Sequence, residues 1–411
     1  MSEPAKRPRI LFLAQRVPYP PDRGDKITTW RLIERLARNY DVTVAAFTHD
    51  ADDCAAAKTL EEKGFRMLTQ PIGASSSRAR RTLWPLASGQ PLTLGYYGSR
   101  ALGRAIAREV ESCDLAYAYS SSMGAFLRPH GQLPRVMHFA ELDSDKWRQY
   151  AEREPFPKSW VFAREARTLL TFEREIANSF DESVLCTPLE QRIFEREIPG
   201  ASSIVIRNGV DLQQLTPIPE TREPDALAFV GVMDYLPNTD GVRWFCDEIL
   251  PRIQEQRPGA RLAIIGSRPT EEVLRLGERE GVRVTGYVDD PKDELAKASV
   301  SIAPLRIARG IQNKVLEAMA MGLPVVGTTS ATQGVEATPG EHFLLADEAR
   351  EFAEHVIRLL EAPDEALRLG AASRTFVEQN YDWERVLVPF DELIQKLLDG
   401  AAPNEPVTTS T

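Results

Sequence analysis

At 411 residues the chain is longer than a single hydrophobic core usually serves, so two or three domains are expected. Its 43% hydrophobic and 27% charged residues are a globular composition, which excludes a disordered or fibrous chain. A net charge of −10 argues against general nucleic-acid binding.

Cys54, Cys113, Cys186 and Cys246 form no CxxC pair, so neither a zinc site nor a redox motif is expected, and such isolated thiols fit a reducing compartment. The opening MSEPAKRPRI has no apolar core of signal-peptide length, and no apolar run approaches the ~18–20 residues that span a bilayer. The expected setting is the cytoplasm, in solution or on the inner face of the plasma membrane.

In chain order, Arg9 to Ala14 reads as a buried strand. A Pro-, Asp- and Gly-rich loop follows from Val17 to Lys26, then a helix over 27–38 and a strand over 41–47. Strand, loop, helix and strand make a βαβ unit and hence a parallel sheet. In the loop PPDRGDK (20–26), Gly24 permits close approach of backbone to ligand, Arg23 and Lys26 have the reach for a phosphate, and Asp22 and Asp25 are expected to cap the helix. The alternative is an ordinary polar βα loop.

Arg78, Arg80 and Arg81 precede an apolar tip at Trp84, a pattern for peripheral contact with an anionic membrane, with a solvated loop as the alternative. Further strands are expected at 114–119, 135–139, 182–186 and 204–211, and helices near 100–111 and 160–179. Pro217, Pro219 and Pro224 mark a linker. A second α/β pattern then runs through strands at 226–232, 261–266, 282–288, 299–303 and 323–327. A last helix is expected over 382–398, with a disordered tail from 399 to 411. The division is therefore 1–214, 215–381, the final helix and the tail.

The stretch GIQNKVLEAMAMGLPVVGT (310–328) carries most chemistry. Glu317 is the one acid in a helix of small apolar residues, where a carboxylate needs a partner or a ligand. Gly310 lets the chain approach a ligand, and the helix entry at Gln312, Asn313 and Lys314 favours an anion. Phosphate contacts at the tip and a hydroxyl acceptor about one turn inward suit a nucleotide diphosphate and its ribose. The alternatives are a plain loop-to-helix turn and a Glu317–Lys314 pair.

The segments IVIRNGVD (204–211), VRVTGYVDD (282–290), GIQNKVLEAMAMGLPVVGT (310–328) and LLEAPDEALRLGAASRTFVEQNYDW (359–383) resemble retaining GT-B glycosyltransferases of the family 4 type. RVPYPPDRGDKITTWRLIERLA (16–37) and ELDSDKWRQYA (141–151) resemble a bacterial subgroup associated with exopolysaccharide and exosortase loci. The resemblance implies two Rossmann-like doubly wound α/β domains facing a central cleft. The acceptor would lie on the N-terminal domain and a UDP- or GDP-linked sugar on the C-terminal one, with the last helix crossing back to the N-terminal domain. It implies no cofactor and no metal.

By the resemblance, Glu317 holds the ribose, and Gly286, Tyr287 and Val288 lie near the base. The family's first glutamate falls at Arg309, whose planar fork suits a diphosphate or a carboxylated sugar. The family's Arg and Lys after the first strand of the second domain fall near Val232 and Asp240. Neutralisation of the leaving diphosphate then passes to Arg309, Lys314 or Arg268.

The usual active-site histidine aligns near Ala140. His138 stands two residues away on the same strand face and is a candidate for acceptor or sugar contact, with a structural histidine as the alternative. Glu141 and Asp143 are candidates to position an acceptor hydroxyl. Asp143-Ser144-Asp145 also reads as a DxD metal motif, discounted because GT-B enzymes generally need no metal for phosphate departure. The implied activity is sugar transfer to a glycan or lipid-linked acceptor. The competing readings are a sugar-nucleotide epimerase of the same fold and a catalytically degraded nucleotide-sugar-binding partner subunit.

Overall fold

The computed structural model describes residues 7–73, 89–308 and 310–401. The chain divides into two compact units, Met1–Ile206 with Leu387–Thr411, and Arg207–Val386. The N-terminal segment, which the sequence divides at 214, thus ends eight residues earlier, and the last helix is counted with the first unit.

The first unit holds a seven-stranded sheet of β1 (Arg9–Ala14), β2 (Asp41–Thr48), β3 (Arg66–Pro71), β4 (Leu115–Tyr119), β5 (Arg135–Ala140), β6 (Glu182–Leu185) and β7 (Ser203–Val205), in the order β3-β2-β1-β4-β5-β6-β7. Every pairing is parallel. Helices on both faces explain why β1 and β2 read as near-continuous apolar runs rather than alternating ones. The second unit repeats the plan with β8 (Ala226–Val230), β9 (Arg261–Ile265), β10 (Val282–Val284), β11 (Val300–Ala303), β12 (Val325–Gly327) and β13 (Leu344–Leu345), ordered β10-β9-β8-β11-β12-β13. Strand order reverses between β1 and β4 in one sheet and between β8 and β11 in the other. At such points the loops after the strands diverge and leave a crevice.

Three expected elements differ. The strand read over 204–211 is only β7, because the following residues leave the sheet and pack under Trp383. A Cβ on Gly209 would stand 2.7 Å from the Trp383 ring, and Val210 N–H bonds Tyr381 C=O at 2.8 Å. The strand read over 282–288 stops at Val284, and Gly286 with φ +69° turns the chain away. The helix read over 382–398 is two helices, Trp383–Val386 and Val388–Ala401, since Pro389 cannot donate to the preceding turn. The second of these docks in the first unit: Phe390 is buried edge-on to Tyr117 at 5.5 Å, and Arg35 holds Asp391 through two nitrogens at 2.6–3.1 Å. The strand Arg66–Pro71 and the helix Ala51–Glu62, capped by Asp50, have no counterpart in the sequence reading.

Buried contacts fix two functionally placed helices. Glu173, fully buried on the Lys158–Ser179 helix, receives Ser144 N–H at 3.2 Å and the Ser144 hydroxyl, and so pins the start of the Asp143–Arg153 helix. Burial first, and the Asp143 charge second, push its carboxyl up to about 8. In the second unit Gly370, inside the Pro363–Asn380 helix, lies against Gly322, which ends the Asn313–Ala320 segment. A Cβ there would meet Gly322 O at 2.1 Å.

Two outcomes are expected. Gly370→Ala, which helix propensity alone would favour by about 1 kcal/mol, should instead destabilise the second unit by about 1–3 kcal/mol, read by denaturant unfolding. An acid whose folded pKa is raised loses stability as pH rises from its unfolded value toward the folded one. Glu173→Gln should therefore match wild type near pH 5 and exceed it at pH 8 by about 1–3 kcal/mol, read by thermal unfolding at both pH values. A variant no more stable at pH 8 would refute the buried neutral acid.

Candidate functional site

The crevice of the second sheet is built by close backbone approach. The turn after β8 carries Gly231 and the turn after β9 carries Gly266, which has φ +146°. A Cβ on Gly266 would sit 1.8 Å from Gly231 O, so only glycine permits this spacing. Gly231 N–H bonds Ile265 C=O at 2.9 Å, and Met233 N–H bonds Ser267 C=O at 2.8 Å. Thr285 Oγ1 accepts from Gly266 N–H at 3.3 Å and so ties the end of β10 to the same edge.

Across this crevice, Lys314 reaches from the start of the Asn313–Ala320 helix toward the Leu236–Trp244 helix. Its Nζ donates to Asn238 Oδ1 at 2.5 Å and lies 4.6 Å from the centre of the Phe229 ring. Asn238, itself buried, donates through Nδ2 to Val232 C=O at 2.9 Å, which orients its carbonyl toward the lysine. Loss of water around Nζ pulls the ammonium down to about 7, against the opposing pull of Glu317. Glu317, one turn further along, has its carboxyl raised by burial, with Lys314 acting the other way. Among the described residues the Glu317 carboxylate receives no hydrogen bond.

The helix around these two residues buries Val315, Leu316, Ala318, Met319 and Ala320 on its other side. Its N-cap, Gln312, provides no side-chain cap, and Asn313 Oδ1 accepts from Asn208 Nδ2 at 3.4 Å. Gly310 has φ +60°, and its carbonyl lies where a Cβ on Gly334 would be. Arg309 lies outside the described residues. Arg268, at φ +58°, faces Asp234 at 3.7 Å on the rim. Beside it Gly286 has open space around it, the Tyr287 ring is 75% exposed and available for stacking, and Val288 packs against the core. Asp240, which stands near a basic position of the resembled family, is bound to Arg306 and Arg243.

The first sheet has a polar counterpart at its own reversal. Gln15, just after β1, donates to Ser120 Oγ at 2.7 Å and Ser122 Oγ at 2.8 Å, both after β4. Ser121 Oγ donates to Asp143 at 3.1 Å, and Lys146 Nζ contacts Asp143 at 2.8 Å and Glu141 at 3.5 Å. Ser120 (φ +78°) and Ala140 (φ +61°) hold left-handed backbone without being glycine, strain that commonly marks functional edges. Asp143 and Asp145 have different partners, since Asp145 is held by Arg148 and Gln149.

Two expectations need correction. His138 is sequestered: it is 1% exposed, and its Nδ1 is hydrogen-bonded to Tyr117 Oη at 2.7 Å. Burial brings its pKa down to about 3, so it is a neutral imidazole beneath the edge, with Nδ1 committed to Tyr117 and Nε2 without a hydrogen-bond partner among the described residues. The 23–26 segment is not a free phosphate loop, because Gly24 already opens a helix. Lys26 is buried, with Asp53 at 3.2 Å and Asp22 at 3.6 Å, and Arg23 Nε binds Asp25 at 2.6 Å. Neither Asp22 nor Asp25 caps that helix, whose N-cap is Arg23. Arg78, Arg80, Arg81 and Trp84 lie outside the described residues.

Sequence reasoning missed Gln15, the three serines 120–122, Asn238 and Phe229. The serine run directly after a buried strand was an available signal. Asn238, 76 residues from Lys314 in sequence, offered none.

Comparison with known proteins places these features. Residues 224–362 match the family model described as Glycosyl transferases group 1. Over 397 residues the chain is 22% identical to an uncharacterized 44.6 kDa protein in the cps region of Klebsiella pneumoniae, covering 92% of this chain and 97% of that one. Over 147 residues it is 30% identical to a GDP-mannose-dependent monoacylated alpha-(1-6)-phosphatidylinositol monomannoside mannosyltransferase of Corynebacterium glutamicum, 33% of this chain and 39% of that protein.

The fold is similar to that of sucrose-phosphate synthase from Thermosynechococcus elongatus, with a TM-score of 0.70, 19% identity, and coverage of 96% of this chain and 100% of that one. It is also similar to Anabaena Alr3699/HepE in complex with UDP-glucose, with a TM-score of 0.70, 16% identity, and coverage of 94% and 99%. The two parallel sheets are the Rossmann-like domains of the GT-B fold, residues 224–362 are a glycosyl transferases group 1 domain, and the chain is a glycosyltransferase.

Proposed function

We propose that this enzyme is a retaining, family 4-type hexosyltransferase that moves a sugar from a UDP- or GDP-linked donor to a glycan or lipid-linked acceptor. Its setting would be exopolysaccharide or cell-surface polysaccharide synthesis on the cytoplasmic side of the membrane. The observation that carries the reading is the Lys314–Glu317 pair, a cation and an acid that receives no hydrogen bond among the described residues, one turn apart on a helix that opens into the β8/β11 crevice.

The donor's diphosphate lies against the Gly310–Lys314 helix entry, where free N–H groups and the Lys314 ammonium offset its charge. Glu317 accepts from the ribose hydroxyls, and Tyr287 lies beside the base, with Arg268 at the rim. The acceptor hydroxyl is ordered by Asp143 and Glu141, both held by Lys146. Catalysis then comes from positioning and from charge stabilisation of the departing diphosphate, which takes the acceptor's proton. The setting and the donor class have support: the Klebsiella relative is named for a cps region, the Corynebacterium relative for dependence on GDP-mannose, and Anabaena Alr3699/HepE, similar in fold, is in complex with UDP-glucose.

Binding measurements separate the roles. Nucleoside and nucleoside diphosphate are compared on wild type by calorimetry, for uridine and guanosine series. Glu317→Ala should weaken both forms alike by about tenfold or more, as loss of a charged hydrogen bond predicts. Lys314→Met should weaken only the diphosphate, by about 10–100-fold. Because the free lysine titrates near 7, the diphosphate's advantage over the nucleoside should shrink as pH rises from 7 to 9 in wild type and stay flat in Lys314→Met. A wild type that binds no nucleotide sinks the donor reading. Binding without turnover in the presence of acceptor favours the partner-subunit reading, and acceptor-free conversion of the donor favours an epimerase.

A further inference from the structure

The strand reversal between β1 and β4 holds one cation that the hydrogen-bonded network around it leaves over. Arg16 stands two residues past β1, and the backbone on either side of it is fixed. Gln15 donates through its side chain to Ser120 and Ser122, and its carbonyl accepts from His49 Nε2 at 3.2 Å. Val17 is fully buried. The Arg16 side chain is only 24% exposed, yet its guanidinium makes no hydrogen bond among the described residues, and its ion-pair partner there, Asp25, lies 3.7 Å away. Five N–H donors drawn out of water without an acceptor are costly to the folded chain.

The neighbouring charges are already answered. Asp25 receives Arg23 Nε at 2.6 Å, and Asp143 receives Ser121 Oγ at 3.1 Å and Lys146 Nζ at 2.8 Å. Burial, and then the Arg16 charge, lower the His49 pKa, so at neutral pH that imidazole adds no charge. The Tyr97 hydroxyl relates Arg16 to Asp143. Burial pushes it up to about 12, the Arg16 charge opposes the shift, and Tyr96, Asp143 and Asp25 add to it. The Arg16 and Asp143 charges thus bear on one phenol, whose ring lies edge-on to Tyr96 at 4.9 Å and tilted against Phe47 at 5.8 Å. An unspent guanidinium, a fixed carboxylate and an aromatic wall share one crevice.

We propose that Arg16 binds an oxyanion carried by the acceptor, a sugar carboxylate or a phosphate, while Asp143 orders the hydroxyl that receives the transferred sugar. The assignment of this oxyanion to the acceptor rests on the proposed role of Asp143. A planar fork takes two oxygens of one oxyanion in parallel, which a single neutral hydroxyl cannot match. Arg16, Arg23 and Lys146 equal Asp25, Glu141 and Asp143 in number, so the selection comes from unspent donors and not from net charge. Because the backbone around Arg16 is fixed before a ligand arrives, little ordering is left to oppose binding. An acceptor held at both an oxyanion and a hydroxyl enters in one orientation, and that orientation decides which hydroxyl reacts.

The test is ligand-observed NMR titration of the full chain, without nucleotide, against methyl glucoside, its 6-carboxylate (methyl glucuronoside) and its 6-phosphate. Wild type should bind at least one anionic probe about tenfold or more tighter than the neutral one. A tighter carboxylate marks an acidic sugar and a tighter phosphate a phosphorylated acceptor; either supports the proposal. Arg16→Gln should erase the preference, and Arg16→Lys, a point charge without the fork, should keep only part of it. Unfolding midpoints equal to wild type identify folded variants. Wild type without a preference, or a preference that survives Arg16→Gln, overturns the proposal. So does a preference lost in Lys314→Met, which would assign the anion to the second crevice. Asp143→Asn should weaken the neutral probe. No change there defeats the acceptor reading, whereas the part played by Arg16 is read separately, from the ratio of anionic to neutral affinity.

Discussion

The ammonium of Lys314 has given up most of its water for one side-chain carbonyl and one aromatic face, and the second unit is arranged around that exchange. Asn238 offers its carbonyl because its amide is committed to Val232 C=O. Val232 is in place because Gly231 and Gly266 bring two turns to backbone contact. A neutral carbonyl and a ring quadrupole compensate a cation only in part, so the site is left electrically incomplete. Glu317 contributes the opposite charge without closing a bond to it. The proposed donor diphosphate would complete what the fold has left open, in contrast to the ion pair of Lys26 with Asp53, which is closed within the fold.

The two crevices differ in how they carry charge. In the second unit the ionisable pair is poorly solvated and poorly satisfied. In the first, Asp143 and Glu141 share Lys146, Asp143 also receives the Ser121 hydroxyl, and Gln15 links two further serines. That edge is a satisfied network in which rigidity is the product. Its geometry is set from below by Glu173, which binds as a neutral acid, and by His138, kept neutral against Tyr117. The proposed roles suit this difference: ordering hydroxyls needs fixed acceptors, whereas holding a diphosphate needs unspent positive charge.

Much of this was legible in the residues. Strands buried on both faces write themselves as continuous apolar runs, so β1, β2, β8 and β9 were readable to within a residue or two. The Asn313–Ala320 helix announced itself through glycine before and after it and through one acid among small apolar residues. The edge strand Arg66–Pro71, only partly buried along its length, has no such run and was not found. His138 and the 23–26 segment were misjudged for one shared reason: a polar residue near a strand end reads the same whether its partner is a ligand or a buried side chain. Asp53, which neutralises Lys26, is 27 residues away, and Tyr117, which holds His138, is 21 away. Pairings of that range come from topology and not from local pattern.

The chain's route between units has a consequence for its synthesis. The second unit is one continuous segment whose ends meet at the Val210–Asp382 bridge. The first unit is interrupted by it, and Phe390 and Asp391, which cover Tyr117 and Arg35, leave the ribosome only after the whole of the second unit. Domains generally fold as they emerge, so the unit begun second is the one that can be finished first. The unit begun first must wait some two hundred residues of translation with the Tyr117 ring uncovered. A growing chain stalled just short of Leu387 would therefore hold a finished second unit and an unfinished first one, with apolar surface open to chaperones until the Val388–Ala401 helix arrives.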